Sequence, residues 1–307
     1  MLFPYGLKGI VLFLEKNEAC LNLIPPTNTL IVGDCLEVLN DTSIIPKQSV
    51  NLVVTSPPYG LGKDYGGMYI DRFDLDKWRK LIRSVGKQIF DVLTNDGSFF
   101  LNVSPIPDPK TSEIIPLDTY AFLDIKKQGF YLRNKIIWHF NNMQNPVKRL
   151  AGRWETFLWF VKDINNYDFN LDEVRIPYLT KNDKRIHGDG RNPTDVWPFN
   201  ASDFWYFNRI NNMTKAKLNI EFPAVFPDKL IERIIKMSSK VGDTVLDPFL
   251  GSGTSMKVAS ELGRKSIGIE INKRYLELIM RRLDLENNNL DEKQRLQIVY
   301  YKKNKKK

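Results

Sequence analysis

A chain of 307 residues, 42% hydrophobic and 26% charged, has the composition of a globular protein with one large domain or two smaller ones. Its net charge of +9 points to an anionic partner, although five of those charges sit in the lysine run at 302–307, and without them only +4 remains. Two cysteines, Cys20 and Cys35, and two histidines, His139 and His187, give neither a disulfide framework nor zinc-ligand spacing, and no apolar run is long enough to span a membrane, so a metal-free cytoplasmic protein is expected.

Residues 1–14 are apolar but lack the basic lead and small-residue cleavage site of a secretory signal. Residues 29–33 read as a short apolar strand ending at Asp34-Cys35, with a helix over 36–40. A second strand, 50–55, closes on Ser56-Pro57-Pro58-Tyr59. The glycine-rich stretch 60–76, with Lys63 and Arg72, reads as a loop able to close over a substrate. Trp78, Leu81, Ile82, Val85, Ile89 and Val92 then follow helical spacing, which predicts an amphipathic helix over 75–93. Asn95-Asp96-Gly97 predicts a turn into a strand at 98–103. A helix at 116–127 and strands at 135–140 and 156–161 come next, and the dense aromatics Trp154, Phe157, Trp159 and Phe160 read as core.

From 162 to 221 the alternation weakens and polar and aromatic residues dominate, which marks an insertion. Its basic positions Lys181, Lys184, Arg185 and Arg191, with Arg209, Lys215 and Lys217, are candidates for phosphate and base-edge contacts. Regularity returns with a helix at 227–238, a strand at 244–246, a helix at 254–262, a strand at 265–269 and a helix at 272–285. Alternation on both flanks predicts an α/β fold, a doubly wound and mostly parallel sheet with helices on each face.

Two segments fall at carboxyl ends of predicted strands, where such sheets carry their chemistry. The later one, Asp247-Pro248-Phe249-Leu250-Gly251-Ser252-Gly253-Thr254, lets a ligand approach main-chain amides, and Glu270 at the next strand end can accept ribose hydroxyls. No lysine follows Gly253, which argues against a nucleoside triphosphate. On its own the segment is equally a packing turn. The earlier one, Ser56 to Tyr59, offers a hydroxyl, a stiff backbone poor in donors and an aromatic ring. An exocyclic amine on a nucleobase is a poor nucleophile, because its lone pair is delocalised into the ring. Two acceptors beside its N–H bonds favour a tetrahedral nitrogen, and Ser56 with a motif carbonyl can supply them while Tyr59 stacks on an extruded base.

Together the two segments resemble the signature of the exocyclic-amino DNA methyltransferases that use S-adenosylmethionine, in the permuted order of the beta group. Ser56-Pro57-Pro58-Tyr59 is similar to the catalytic motif, and Asp247 to Thr254 to the cofactor motif. Gly33-Asp34-Cys35-Leu36, Arg191 to Trp197 and Phe222 to Pro227 resemble further family elements, although Glu221-Phe222 replaces a more usual histidine-bearing version. The resemblance implies a seven-stranded, circularly permuted sheet with one reversed strand. It implies Asp34 and Cys35 at the cofactor adenine, Glu270 at the ribose, and Asp247, Phe249, Gly251, Ser252, Gly253 and Thr254 around the rest of S-adenosylmethionine. It divides the chain into a catalytic half (1–161), a target-recognition insertion (162–221), a cofactor half (222–290) and a basic tail (291–307).

Within the family, serine at the head of the catalytic motif accompanies N4-cytosine methylation and aspartate N6-adenine methylation, so Ser56 favours cytosine in double-stranded DNA, with adenine as the alternative. Carbon-5 methylation needs a thiolate beside a catalytic proline, which neither cysteine provides. The family role is protection against a companion restriction endonuclease, by a monomer or homodimer. RNA or protein-glutamine methylation and a non-catalytic DNA-binding relative are the rival readings.

Overall fold

A computed structural model describes residues 28–64, 70–72, 74–140, 146–178, 190–197, 209–210, 212–283 and 296–301. Cys20, His187, Lys181, Lys184, Arg185 and the lysine run at 302–307 lie outside the described residues. In chain order the first half comprises β1 (Asn28–Val32), α1 (Cys35–Leu39), β2 (Val50–Thr55), β3 (Leu61–Asp64), β4 (Ile70–Arg72), α2 (Leu75–Val92), β5 (Leu93–Val103), β6 (Ile106–Pro107), β7 (Ile114–Ile115), α3 (Leu117–Lys126), β8 (Tyr131–His139) and β9 (Trp154–Val161). The second half adds β10 (Val196–Trp197), α4 (Asn212–Lys217), α5 (Asp228–Ser238), β11 (Thr244–Asp247), α6 (Thr254–Glu261), β12 (Lys265–Glu270), α7 (Leu276–Arg282) and β13 (Leu296–Tyr300).

The main sheet has nine strands among the described residues, in the order β10-β8-β9-β5-β2-β11-β12-β1-β13. All its pairings are parallel except those of β9, which runs against both β5 and β8. The seven expected strands with one reversed are present, and β10 and β13 extend the two edges. β2 shows why the sheet is covered on both faces. Its Val53 belongs to a core with Trp78, Ile82 and Ile89 of α2, whereas Leu52 and Val54 belong to one with Leu230, Ile231 and Ile234 of α5. Successive side chains of a strand point to opposite faces, so an uninterrupted apolar run is stable only where both faces are dry.

The apolar stripe of α2 buries Trp78, Ile82, Val85, Ile89 and Val92, each worth about 1.5–3 kcal/mol against exposure. Asp74 caps it by accepting from the Lys77 amide at 3.0 Å. Gly86 is where α2 meets α3, since a Cβ there would lie 2.3 Å from Ile125 Cδ1.

Several expectations are corrected. Asn95-Asp96-Gly97 is not a turn before a strand; β5 starts at Leu93 and passes through these residues with a register shift against β2. A Cβ on Gly97 would sit 2.8 Å from the Asn51 carbonyl oxygen, so the glycine serves close strand contact. The loop at 60–76 contains the antiparallel pair β3 and β4. Part of the basic tail is instead β13, whose Leu296, Ile298 and Val299 are buried beside β1. Trp154, read as core, is 37% exposed, because it opens β9 at the sheet's rim, while Phe157, Trp159 and Phe160 are buried as expected. Within the segment read as an insertion, 162–221, Val174 and Ile176 are buried and β10 pairs with β8. No described helix is long and apolar enough to cross a membrane.

Candidate active site

The order in which the chain adds parallel strands reverses at the centre of the sheet. From β2 the next parallel strand is β5 on one side, and from β11 it is β12 on the other, so the crevice above β2 and β11 is the topological switch point. Along the carboxyl edge stand Asn102 near the end of β5, Ser56 just past β2, Asp247 at the end of β11, Glu270 at the end of β12 and Asp34 beyond β1. Residues scattered from 34 to 270 in sequence become neighbours because their strands are neighbours.

On the side of the glycine turn the acids are satisfied largely by the backbone. Glu270 is buried; its Oε2 accepts from the Gly251 amide at 2.9 Å and its Oε1 from the Asn272 amide at 2.8 Å. Burial still pushes its carboxyl up to about 7. Gly251 and Gly253 both have positive φ, +55° and +82°, and a Cβ on Gly251 would lie 2.5 Å from the Phe222 ring, so this turn admits no side chain. Ser252 and Thr254 are buried with their hydroxyls 3.3 Å apart, and Arg282 donates to Ser252 Oγ at 3.1 Å while holding Asp228. Phe249 is partly buried against the core, with its amide bonded to Asp247. Asp34 is exposed and caps α1 by accepting from the Leu36 amide at 2.8 Å; the Gly33 amide bonds the Glu270 carbonyl at 3.0 Å, joining the two acids' strand ends. Cys35 is buried, and burial followed by the neighbouring Asp34 charge pushes its thiol up to about 12. It is a thiol at neutral pH, not a nucleophile.

Asp247 joins the two halves. Its Oδ1 accepts from Thr55 Oγ at 2.6 Å and from the Phe249 amide at 3.0 Å, and its Oδ2 accepts from Ser255 Oγ at 2.6 Å. Burial pushes this carboxyl up to about 6, partly offset by those donors. Thr55, the last residue of β2, thus ties the start of the Ser56–Tyr59 segment to the glycine turn.

On the side of Ser56 a chain of hydrogen bonds between side chains holds the segment. Ser56 Oγ donates to Tyr59 Oη at 3.0 Å, and Tyr59 Oη donates to Asn102 Oδ1 at 2.7 Å. Glu155 Oε2 lies 3.5 Å from the same hydroxyl, and the buried Glu155 pairs with Arg209, whose guanidinium lies 4.4 Å over the Phe140 ring. Trp78 Nε1 donates to the Pro58 carbonyl at 2.9 Å, and Pro57 is buried. Tyr59 itself is buried, at 9% exposure.

Asn102, Glu155 and Trp78 were not foreseen. A lone acid in the apolar strand Trp154-Glu155-Thr156-Phe157 is the one sequence signal that could have found Glu155, since a strand buries a charge only with partners. Arg209, grouped by sequence with phosphate contacts, instead binds Glu155, and Lys215 donates to the Pro223 carbonyl at 2.7 Å. Of the candidate DNA contacts, Arg191 is half-buried in a bridge to Ile176, and the side chains of Lys63 and Arg72 lie outside what is described.

A family model of DNA methylases, those acting at N6 or N4, matches residues 50–281. The chain belongs to this N6/N4 DNA methylase family. The methylase is 34% identical over 267 residues to the type II methyltransferase M.ScaI of Streptomyces caespitosus, covering 84% of this chain and 82% of that protein. It is 33% identical over 263 residues to the DNA adenine methyltransferase YhdJ of Escherichia coli K12, covering 84% and 83%. Its fold is similar to that of TTHA0409 from Thermus thermophilus solved in complex with S-adenosyl-L-methionine, with a TM-score of 0.59 and 26% identity over 89% of this chain and 99% of that one. The methylase is therefore an exocyclic-amino DNA methyltransferase.

Proposed function

We propose that the methylase acts on the N4 amine of cytosine at a specific site in double-stranded DNA, as the modifying partner of a restriction endonuclease in the cytoplasm. The observation that carries this reading is the direction of the hydroxyl chain. Tyr59 gives its proton to Asn102, so its oxygen accepts from Ser56, and the lone pairs of Ser56 Oγ are left to accept from an amine. A neutral acceptor suits the cytosine amine; a carboxylate would stand there for the less nucleophilic adenine amine.

The residues around the glycine turn suit a nucleoside. A buried carboxylate with a raised pKa gains from ribose hydroxyl donors, and the turn at Gly251 and Gly253 lets a methionine moiety approach main chain. S-adenosylmethionine, when bound, supplies the electrophilic methyl group. Glu270 takes the ribose, Asp34 the adenine amine, and Asp247 shapes the turn for the methionine end. Tyr59 presents its ring to an extruded base. Ser56 and a motif carbonyl would hold the amine's two N–H bonds, which leaves the nitrogen lone pair available to the methyl group; the sulfur would depart as a neutral thioether and the amine would shed one proton to water, with no covalent enzyme intermediate.

The likeness to YhdJ favours N6-adenine as the second reading. Mass analysis of nucleosides from DNA methylated by the purified protein separates the two. N4-methylcytosine is the expected product; N6-methyladenine overturns the base assignment. Labelling of RNA or protein with none in DNA overturns the substrate.

A further inference from the structure

The segment at 146–154 joins β8 to the reversed strand β9, so it lies at the same carboxyl edge as Ser56. It is rooted in the site: the Phe140 amide bonds the Arg153 carbonyl at 2.9 Å, and Glu155, the next residue after Trp154, lies 3.5 Å from the Tyr59 hydroxyl. Val147 and Leu150 are 97% and 92% exposed, the most exposed of the large hydrophobic residues described, and Trp154 stands beside them at 37%. Isolated exposed apolar residues are ordinary, but two almost fully exposed within three positions are not. Lys148, Arg149 and Arg153 are exposed among them, and none has a carboxylate partner among the described residues. Among the described residues, Arg149 donates to the adjacent Leu150 carbonyl at 3.2 Å.

We propose that residues 146–154 are the strand-opening element of the methylase, in which Lys148, Arg149 and Arg153 grip backbone phosphates while Leu150, flanked by Val147, wedges into the base stack beside the target. The inference rests on the reading of the chain as a DNA methylase. Apolar side chains that enter between base steps offset unstacking, and cations beside them fix the register on the duplex. The stack is the occupant whose chemistry fits, because it offers an apolar interior directly behind a polyanionic rim. Extrusion of a base leaves a gap that must be filled or collapse, and Leu150 offers an exposed apolar side chain on the segment that runs into Glu155.

Leu150→Ala is expected to lower methyl incorporation into unmethylated duplex plasmid about tenfold, and incorporation into the same DNA after heat denaturation by less than about twofold, since single strands need no opening. Leu150→Met, which keeps apolar bulk, should restore the duplex rate. An unchanged duplex rate in Leu150→Ala, or equal loss on both forms of DNA, overturns the wedge. If single strands are not a substrate for the wild-type protein, Leu150→Met decides alone: restoration supports the wedge, and a rate as low as that of Leu150→Ala overturns it. Replacing Lys148, Arg149 and Arg153 together by Ala should flatten the dependence of log affinity on log salt by about 2–3 for a duplex of about 30 base pairs. An unchanged slope overturns the phosphate contacts. Incorporation by the wild-type protein in the same assay distinguishes failure of the wedge from failure of the DNA methylase reading.

Discussion

The two sides of the active centre are held by different kinds of bond. On the side of the glycine turn Glu270 and Asp247 are buried acids fed by backbone amides and short hydroxyls, around a turn whose glycines leave no room for change. On the side of Ser56, the residues Ser56, Tyr59, Asn102 and Glu155 hold one another mainly through side chains, with one bond to main chain, from Tyr59 Oη to the Asn102 carbonyl at 3.0 Å. A backbone cradle is indifferent to most substitutions but intolerant at its glycines; a side-chain relay can be tuned one group at a time. The first suits a ligand that never varies, and the second suits a reacting amine whose geometry must be set finely.

The comparison breaks most sharply at Ser56. Ser56→Ala removes the acceptor and leaves the cradle intact, so turnover should fall by about 10²–10⁴ while cofactor affinity measured by calorimetry stays within about twofold. Equal turnover would sink the assigned role.

Thr55→Val tests the seam. It deprives the buried Asp247 of a 2.6 Å donor, and should cost about 1–3 kcal/mol in denaturant unfolding, with losses in both affinity and turnover because both sides share this contact. Thr55→Ser should recover most of it. A change in turnover alone would show that the two halves are independent.

The smallest effect is a pH dependence. Glu270 has a folded-state pKa raised to about 7, so the ionised form is the costly one in the free protein, and its stability penalty grows as pH rises from the ordinary carboxylate range through 7. Ribose donors favour the ionised form, so binding expels a proton below pH 7. Affinity for S-adenosylmethionine should therefore rise by up to about tenfold per pH unit toward pH 7 and flatten above it. Calorimetry in two buffers of different ionisation enthalpy reads the proton release, and Glu270→Gln should abolish it. Affinity independent of pH between 5.5 and 8 would remove the carboxylate from the ribose, where these bounds are roughly set by the shifted value.

Much of this architecture was legible in the sequence, because apolar periodicity reports which faces are dry and strand ends report where a parallel sheet does its chemistry. Trp78, Ile82, Val85 and Ile89 named α2 almost to its ends, and Asp247 and Glu270 fell on the expected edge. What escaped was whatever depends on a distant partner. Thr55 meets Asp247 across 192 residues, and nothing local to either announces the bond. Leu296 to Tyr300 was hidden because the lysines after it carry the compositional signal, although Leu296, Ile298, Val299 and Tyr300 make a short apolar run rich in strand formers. Asn95-Asp96-Gly97 has the chemistry of a turn, and only the neighbouring β2 holds it extended.

The place of β1 has a consequence for biosynthesis. It lies between β12 and β13, and Asn28 bonds Ser266, a residue 238 positions later. A ribosome adding about 5–20 residues per second takes on the order of 10–50 s to deliver that partner. Throughout that interval Leu30 and Ile31, fully buried in the finished protein, belong to an unpaired apolar segment of the nascent chain. The first of the described strands is thus among the last to be sheltered, because its two neighbours, β12 and β13, are the last two described strands to be made.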